Sequence, residues 1–287
     1  LKGMEGKRMR VVITGHRGQL GRALQSVLPD EELLGLDLPE YDIADPNATI
    51  DTVVGFRPDV VIHAAAMTDV DGCERDPASA FRVNALGTQN MALACERTGA
   101  TMVHISTNDV FDGRLNRAYY EWDAPSPVSV YAQSKAAAEF YVRTLLQRFF
   151  IVRTAWLYGR DGSNFVTKIV AAADRYGALR VVTDEVSAPT YAPDLAIAIA
   201  QLLPTKHYGI FHLTNSGLCS RYDWACRILE LSGRDSVPVE AITGDEWQRA
   251  AEPPRYAPLT NFAGAALGIL LRPWEQALQE YFSREQS

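Results

Sequence analysis

Residues 10–21 read RVVITGHRGQLG and place a short β-branched run directly before a turn that carries three glycines. In this spacing Gly15 permits a tight turn, Gly18 lets the backbone approach a pyrophosphate, and Gly21 lets the following helix pack closely on the strand. The N-terminus of that helix offers free N–H groups and the positive end of its dipole to phosphates. Because the glycines stand between a strand and a helix, and Asp37 ends a second strand, the segment predicts a dinucleotide site.

The chain beyond this loop alternates between two patterns. Strand-like β-branched runs lie at 10–14, 33–37, 60–64, 101–106 and 150–153, and helical spacing lies at 20–28, 48–56, 78–97 and 129–148. Strand followed by helix, repeated, predicts an α/β fold with a Rossmann-type doubly wound parallel sheet and a smaller α/β substrate-binding lobe. The second half of the chain predicts helices at 164–176, 193–203, 221–232 and 273–282, strands at 180–183 and 209–213, and a Pro-rich loop at 251–258.

These patterns also suggest how the chain is divided. We expect residues 9–154 to form the dinucleotide-binding domain, with segments near 179–200 returning to it. Residues 155–178 and 205–284 are expected to form mainly the substrate-binding lobe, interleaved with the first unit. The chain shows no internal repeat and no linker, so one compact unit is favoured over two tethered domains.

Two residues near the loop give opposite indications about the cofactor. A carboxylate at Asp37 can accept both ribose hydroxyls, which favours NAD(H) and repels a 2′-phosphate. A guanidinium at Arg17 can pair with a 2′-phosphate, which favours NADP(H). Both cofactors therefore stay open. Asp42 and Ile43 are candidates to flank the adenine, with a plain turn as the alternative.

A second motif supplies candidate chemistry. Tyr131 and Lys135 lie four residues apart in a predicted helix and therefore on one face. An ammonium beside a phenol stabilises the phenolate and lowers the pKa of the tyrosine, which makes the phenol a usable general acid at neutral pH. The strand before this helix ends in Ser106 and Thr107, where a hydroxyl can hydrogen-bond a substrate carbonyl oxygen. A YxxxK pair alone is common by chance. Here it indicates a catalytic role because it follows a dinucleotide-binding loop in the same chain.

Together these features resemble the extended short-chain dehydrogenase/reductase superfamily. Within it, the segment 105–113 (ISTNDVFDG) resembles the STDYVFDG segment of the dTDP-4-dehydrorhamnose reductase family, and 152–159 (VRTAWLYG) resembles its RTxWxYG motif. The segment 84–90 is similar to NxxGTxN, and 271–274 precedes the last helix as is typical of the family. The resemblance extends from about residue 9 to residue 282.

The resemblance implies a reaction and a set of residues. The family reduces the C4 ketone of dTDP-6-deoxy-L-lyxo-4-hexulose (dTDP-4-dehydrorhamnose) to dTDP-L-rhamnose with NAD(P)H. Tyr131 would protonate the carbonyl oxygen, Lys135 would lower the pKa of Tyr131 and hold the nicotinamide ribose, and Thr107 would hydrogen-bond the same oxygen. The predicted cofactor site is Gly15, Arg17, Gly18, Gln19, Leu20, Gly21, Asp37, Asp42, Ile43, Ala64, Ala65, Ala66, Tyr131 and Lys135. The predicted substrate site is Thr68, Val70, Thr107, Asn108 and Trp156, with a core tryptophan as the alternative at the last position.

The sequence also departs from the family pattern. Asn108 and Asp109 stand where Asp-Tyr is usual, Met67 replaces a frequent tyrosine, and Ala132 replaces a glycine after the tyrosine. Changes beside the reacting centre leave the hydride chemistry intact, but they leave the identity of the sugar open. Arg255 is a candidate for the diphosphate, with a surface arginine as the alternative.

Other functions stay open at this stage. One is a 4-ketoreductase for another nucleotide deoxysugar. A second is a non-catalytic NADP-binding regulatory subunit that resembles the methionine adenosyltransferase beta subunit. A third is an epimerase or dehydratase on the same scaffold. The presence of Thr107, Tyr131 and Lys135 favours an enzyme over the regulatory subunit.

Composition excludes several classes of protein. The 287-residue chain has a net charge of −7 and a pI near 5.3, which argues against nucleic acid as the main partner. No apolar run reaches the length of a membrane span. Residues 1–10 lack the apolar stretch of a secretory signal and are expected to be a tail. The four cysteines are scattered and favour a reducing, cytoplasmic location.

These observations leave a small-molecule partner. The expected partner is the dTDP-linked deoxyhexulose, bound by a monomer or homodimer. The resemblance implies that some relatives dimerise with a divalent metal, which leaves Mg²⁺ open, but no carboxylate cluster in the sequence demands it.

Overall fold

A parallel sheet forms the centre of the computed structural model, which describes residues 8–160 and 162–283. The strands are β1 (Arg10–Thr14), β2 (Glu32–Leu36), β3 (Val60–His63), β4 (Thr101–Thr107), β5 (Phe149–Thr154), β6 (Leu157–Tyr158), β7 (Leu179–Val182), β8 (Val186–Ser187), β9 (Thr190–Tyr191), β10 (Gly209–His212), β11 (Cys219–Ser220) and β12 (Val239–Ile242). The helices are α1 (Gln19–Val27), α2 (Pro46–Phe56), α3 (Val70–Arg75), α4 (Pro77–Ala80), α5 (Gly87–Thr98), α6 (Val130–Leu145), α7 (Phe165–Tyr176), α8 (Ala192–Leu202), α9 (Arg221–Leu231), α10 (Ala263–Ala266) and α11 (Trp274–Ser283). Most of the predicted tail, residues 1–7, lies outside the described residues.

The central sheet has the strand order β2-β1-β3-β4-β5-β10, and every pair in it is parallel. The chain leaves β1 for β2 on one side and returns to β3 on the other side of β1. In open parallel sheets, ligands bind where the order reverses in this way, beyond the carboxyl ends of the strands. The predicted doubly wound α/β fold is confirmed, and the loops after β1, β3 and β4 meet at this edge.

Helices cover both faces of the sheet. Leu24 of α1 and Leu195 of α8 are fully buried in the apolar layer on one face. On the other face, Val53 of α2, Met91 of α5 and Val142 of α6 are fully buried in a second layer. The strand β3 is buried at every position, as expected of a strand covered on both sides.

Local signals explain where the helices near the sheet edge begin. The hydroxyl of Ser129 accepts the N–H of Ala132 at 3.2 Å, and this cap begins α6 directly before Tyr131. The helix predicted at 78–97 is present but interrupted, because a π-helical turn, Phe81–Leu86, separates α4 from α5. The 84–90 motif therefore spans the end of the π turn and the start of α5.

The second half departs from the expected division in two places. Residues 205–284 were expected mainly in the lobe, yet β10 pairs with β5 and extends the central sheet, because Phe211 packs beside Phe150. Residues near 179–200 were expected to return to the sheet, but only α8 does so, since β7 pairs with β12 outside it. The division into two interleaved units stays a prediction.

A separate apolar cluster forms the lobe beside the sheet. It is built around the buried Trp224 of α9, which stacks on Phe165 with ring centroids 4.7 Å apart. Tyr158, Trp274 and Tyr281 are also buried there. The short strands β6, β8, β9 and β11 were not predicted, because two-residue strands carry no periodicity.

Candidate active site

The glycine loop after β1 has the geometry of a phosphate cradle. Gly15 has φ +66°, and its N–H donates to the carbonyl of Leu36 at 2.8 Å, which ties the loop to β2. A Cβ on Gly21 would lie 2.2 Å from the Gly15 carbonyl oxygen, so only glycine lets α1 begin this close to the strand. No side chain caps the start of α1, so the N–H groups of its first turn stay available to an anion.

The ribose end of the loop is organised by an ion pair. The two carboxylate oxygens of Asp37 accept the N–H groups of Arg17 and Leu38, each at 2.9 Å. The guanidinium of Arg17 donates to the Leu38 carbonyl at 3.0 Å and to Glu40 at 2.7 Å. Glu40 raises the pKa of Arg17 and is exposed with it. A phosphate that approached Arg17 would therefore compete with Glu40, a residue that the sequence reasoning missed.

A cleft of about 700 Å³ runs from this loop to the start of α6. Every residue of the predicted cofactor site lines it: Gly15, Arg17, Gly18, Gln19, Leu20, Gly21, Asp37, Asp42, Ile43, Ala64, Ala65, Ala66, Tyr131 and Lys135. Its volume lies within the range of known ligand sites. The side chain of Leu20 is buried in the core, so that residue presents its backbone to the cleft. The cradle and the cleft together fit a dinucleotide.

The predicted catalytic side chains meet at the inner end of the cleft. Thr107 ends β4, and its hydroxyl hydrogen-bonds the phenol of Tyr131. The ammonium of Lys135 is buried and donates to the carbonyl of Ile105 at 2.6 Å. Burial lowers the pKa of Lys135 to about 8, against the opposing effect of the Glu139 carboxylate.

One expectation about this group is corrected. We expected Lys135 to lower the pKa of Tyr131, but burial raises that pKa, and the Asp109 carboxylate raises it further. The physical reason is that desolvation of the phenol disfavours its charged form and that the Asp109 carboxylate lines the same cavity. The hydrogen bond from Thr107 opposes the rise. The phenol of Tyr131 is therefore fully protonated at neutral pH.

A buried ion pair lies one helical turn below Lys135. Glu139 of α6 accepts two hydrogen bonds from Arg153 of β5, at 2.9 and 2.7 Å, and both side chains are almost completely buried. The hydroxyl of Ser106 donates to the same carboxylate at 2.6 Å. This pair joins β4, β5 and α6 directly beneath the reacting groups. The sequence reasoning missed it because the partners come from separate motifs.

The π turn also connects to the site. Asn84 accepts the N–H of Met67 at 2.7 Å and donates to its carbonyl at 3.1 Å, which fixes the loop after β3. The same amide donates to the hydroxyl of Ser134 at 2.9 Å. Ser134 lies between Tyr131 and Lys135 on α6, so Asn84 holds that helix against the loop. π turns are frequent at functional sites, and this one places the Asn84 amide between α6 and the loop after β3.

A second, polar cavity of about 160 Å³ adjoins the cleft. All five residues of the predicted substrate site line it: Thr68, Val70, Thr107, Asn108 and Trp156. Thr68, Thr107, Tyr131 and Trp156 line both spaces, so the cavity opens on the cleft at the reacting groups. Asn108 also donates to the carbonyl of Ala257 at 3.2 Å, which ties the predicted Pro-rich loop to this wall.

The far wall of this cavity carries charges that the sequence reasoning did not assign. They are Asp109, Glu185, Arg221 and Arg249. Glu185 is buried and lies 3.4 Å from Arg221 and 3.5 Å from Arg249. Burial raises the pKa of Asp109 to about 6, although both arginines oppose the rise. These residues come from four segments far apart in the sequence, so no local motif connects them.

Trp156 has an unusual backbone and a charged neighbour. Its φ is +45°, in the left-handed region that few non-glycine residues adopt. Its indole stacks with Trp224, with ring centroids 5.7 Å apart, and the guanidinium of Arg221 lies 3.7 Å from its centroid. Trp156 is therefore both part of the aromatic cluster of the lobe and a wall of the cavity. Non-glycine residues held at such angles cluster at functional sites.

Arg255 does not line either cavity. Its guanidinium pairs with Asp184 and with Asp245, on the outside of the lobe. The alternative interpretation, a surface arginine, fits this position.

Within 8–160 and 162–283, no group of three or more histidines, cysteines and carboxylates is placed to hold a metal ion. The helices of these ranges are all too short or too polar to cross a bilayer. All four cysteines are free thiols.

Comparison with known proteins identifies the family. The family model for the RmlD substrate binding domain matches residues 9–287. A dTDP-4-dehydrorhamnose reductase from Mycobacterium tuberculosis is 38% identical, over 96% of this chain and 93% of its own length. The chain belongs to the dTDP-4-dehydrorhamnose reductase family. The expected family and its classification among oxidoreductases are confirmed.

The chain is also similar to other proteins. The spore coat polysaccharide biosynthesis protein SpsK of Bacillus subtilis is 37% identical, over 97% of this chain and 98% of its own length. A structure of dTDP-4-dehydrorhamnose reductase from Bacillus anthracis in complex with NADP superposes with a TM-score of 0.93 at 36% identity, covering 97% of this chain and all of the other. The nicotinamide cofactor expected from the glycine loop agrees with that complex.

Proposed function

We propose that this chain reduces the C4 ketone of dTDP-4-dehydrorhamnose to give dTDP-L-rhamnose, with NADPH or NADH as the hydride source. One observation carries the proposal. The cleft that begins at the glycine loop and the polar cavity meet at Tyr131 and Thr107. A cofactor in the first and a sugar in the second would thus adjoin at a proton donor.

The chain's own residues supply the binding of the cofactor. The uncapped first turn of α1 and the close approach at Gly18 and Gly21 would hold the pyrophosphate. Asp37 and Arg17 would face the adenosine ribose. Ala64–Ala66 would line the part of the cleft between the adenosine ribose and the nicotinamide. When a reduced nicotinamide is bound, it supplies the hydride for the carbonyl carbon.

The proton side of the reaction rests on three side chains. Tyr131 would donate its proton to the carbonyl oxygen as negative charge develops there, since its raised pKa keeps it protonated. Thr107 would donate a hydrogen bond to the same oxygen. Lys135 would stabilise the phenolate that the transfer leaves behind, and its place in the cleft lets it hold the nicotinamide ribose.

The test is a pair of assays on the full chain. The purified protein is mixed with dTDP-4-dehydrorhamnose and either NADPH or NADH, and the absorbance of the reduced nicotinamide is followed. Stoichiometric oxidation that depends on the sugar is expected. Absence of oxidation with both cofactors would overturn the proposal, and cofactor binding without turnover would favour a regulatory subunit.

Tyr131→Phe separates the chemistry from binding. The loss of the proton donor should lower kcat by about 10²- to 10⁴-fold, the usual contribution of a general acid, while the Kd for NADPH stays near wild type. Wild-type turnover in this variant would refute the role of Tyr131.

A further inference from the structure

The side chain of Asp109 lines the polar cavity on the same side as the Tyr131 phenol, which is proposed to protonate the ketone. Its backbone N–H donates to the hydroxyl of Thr107 at 3.1 Å, which anchors it next to the reacting groups. It lines the polar cavity together with Tyr131 and Thr107. Its charge acts directly on the Tyr131 phenol. A sugar whose C4 oxygen meets Tyr131 must therefore present the substituents next to C4 to Asp109.

The wall behind Asp109 holds it in a balanced environment. Glu185 pairs with both Arg221 and Arg249, and Arg221 is fixed further by its stacking on Trp156. Two carboxylates face two guanidiniums, so the wall is strongly polar without net charge. Such a wall favours a neutral ring with several hydroxyl groups over an anionic or apolar ligand.

We propose that Asp109 is a specificity residue of this cavity, where its carboxylate accepts a hydrogen bond from the hydroxyl on C3 of the hexulose. This inference rests on the proposed function. Of the two carbons that flank the C4 ketone, C5 carries a methyl group and C3 carries a hydroxyl. A partly buried carboxylate is stabilised by a donor and destabilised by a methyl group, so C3 faces Asp109.

The proposal predicts that the protein discriminates against a sugar without the C3 hydroxyl, because the Asp109 carboxylate then lacks a hydrogen-bond donor. A substrate without the C3 hydroxyl would leave the Asp109 carboxylate desolvated and without that donor. Sites built to bind a substrate hydroxyl reject analogues that lack it far more strongly than apolar pockets reject a missing methylene. Since Asp109 also raises the pKa of Tyr131, its removal changes turnover with every substrate by a small common factor, so the test must compare two substrates.

The experiment is a cycle of two substrates and three proteins. We measure kcat/KM for dTDP-4-dehydrorhamnose and for its 3-deoxy analogue with wild type, Asp109→Ala and Asp109→Asn. We expect Asp109→Ala to lose about 100-fold with the hydroxylated sugar and less than about threefold with the analogue. Asp109→Asn keeps a neutral acceptor and should lose about tenfold with the hydroxylated sugar. Asp51→Ala, an exposed substitution on α2, is the matched control and should change neither value.

The outcomes separate the two proposals. Equal losses with both sugars, or no loss with either, would overturn the role of Asp109 while leaving the reductase activity in place. If wild type reduces neither sugar, the proposed function fails and this inference fails with it. Fluorescence titration with NADPH shows whether each variant is folded, because the cofactor cleft does not include Asp109.

Discussion

Replacement of Glu139 by Gln tests whether the buried pair beneath Lys135 serves the catalytic site. The amide keeps the shape and one acceptor oxygen, but it leaves the guanidinium of Arg153 buried without a counter-charge. Removing one partner of a buried pair costs about 3–5 kcal/mol. Because the amide still accepts one hydrogen bond, we expect about 3 kcal/mol of the free energy of unfolding to be lost. At about 2–4 °C per kcal/mol, Tm should fall by about 6–12 °C.

The same substitution should change the pH dependence of turnover. In the proposed mechanism Lys135 acts as the ammonium, and the Glu139 carboxylate opposes the lowering of its pKa to about 8 by burial. Without that carboxylate, and with the Arg153 charge left uncompensated, the pKa of Lys135 falls further. The ammonium is then lost at lower pH, so the alkaline decline of kcat, expected near pH 8 in wild type, moves towards neutrality.

The assay is a thermal melt together with a kcat profile from pH 6 to pH 10. Glu240→Gln is the control, because Glu240 pairs with Arg180 at 3.1 Å on the surface and its loss should cost less than about 1 kcal/mol without moving the profile. If Glu139→Gln lowers Tm but leaves the alkaline limb in place, the pair is structural only. If neither changes, the reasoning from burial is wrong.

Two further predictions concern the cofactor loop. Gly21→Ala places a Cβ 2.2 Å from the Gly15 carbonyl oxygen, so the loop must shift. We expect the free energy of unfolding to fall by about 1–3 kcal/mol and NADPH to bind more weakly. Wild-type values in a thermal melt and an NADPH titration would contradict this. Glu40→Gln frees the Arg17 guanidinium and should improve the Kd for NADPH relative to NADH by a factor of about two to five, whereas Arg17→Ala should weaken NADPH more than NADH. Unchanged ratios of the two Kd values in both variants would mean that Arg17 does not contact the 2′-phosphate.

Sequence patterns predicted the parts of the molecule that depend on local periodicity. The glycine spacing before α1 and the alternation of strands and helices predicted the sheet, because each buried strand and each amphipathic helix leaves its own periodic pattern. The Tyr131–Lys135 spacing predicted a shared helix face for the same reason. The residues predicted to bind the cofactor and the substrate line cavities at the expected edge of the sheet.

Contacts between distant segments were not predictable in this way. Glu185 and Arg221 meet only because β8 pairs with β11, the strand directly before α9, and no spacing in the sequence relates them. The Lys135 ammonium is held by the main-chain carbonyl of Ile105. Every residue has such a carbonyl, so the sequence does not reveal which one the lysine binds. Charge balance in the cavity and the partner of the lysine therefore had to come from the structure.

The raised pKa of Tyr131 changes how the proposed proton transfer is understood. A phenol that stays protonated at neutral pH is in the form that donates, so it does not need a lowered pKa before the substrate binds. What limits a weak acid is the charge it must carry after transfer, since burial and Asp109 both disfavour the phenolate. In the proposed mechanism, the Lys135 ammonium in the same cleft offsets this charge, and it does so most when the phenolate forms. Stabilisation that appears only as the proton moves lowers the barrier without strengthening the ground state. Loss of the Lys135 charge should therefore lower kcat more than it raises KM.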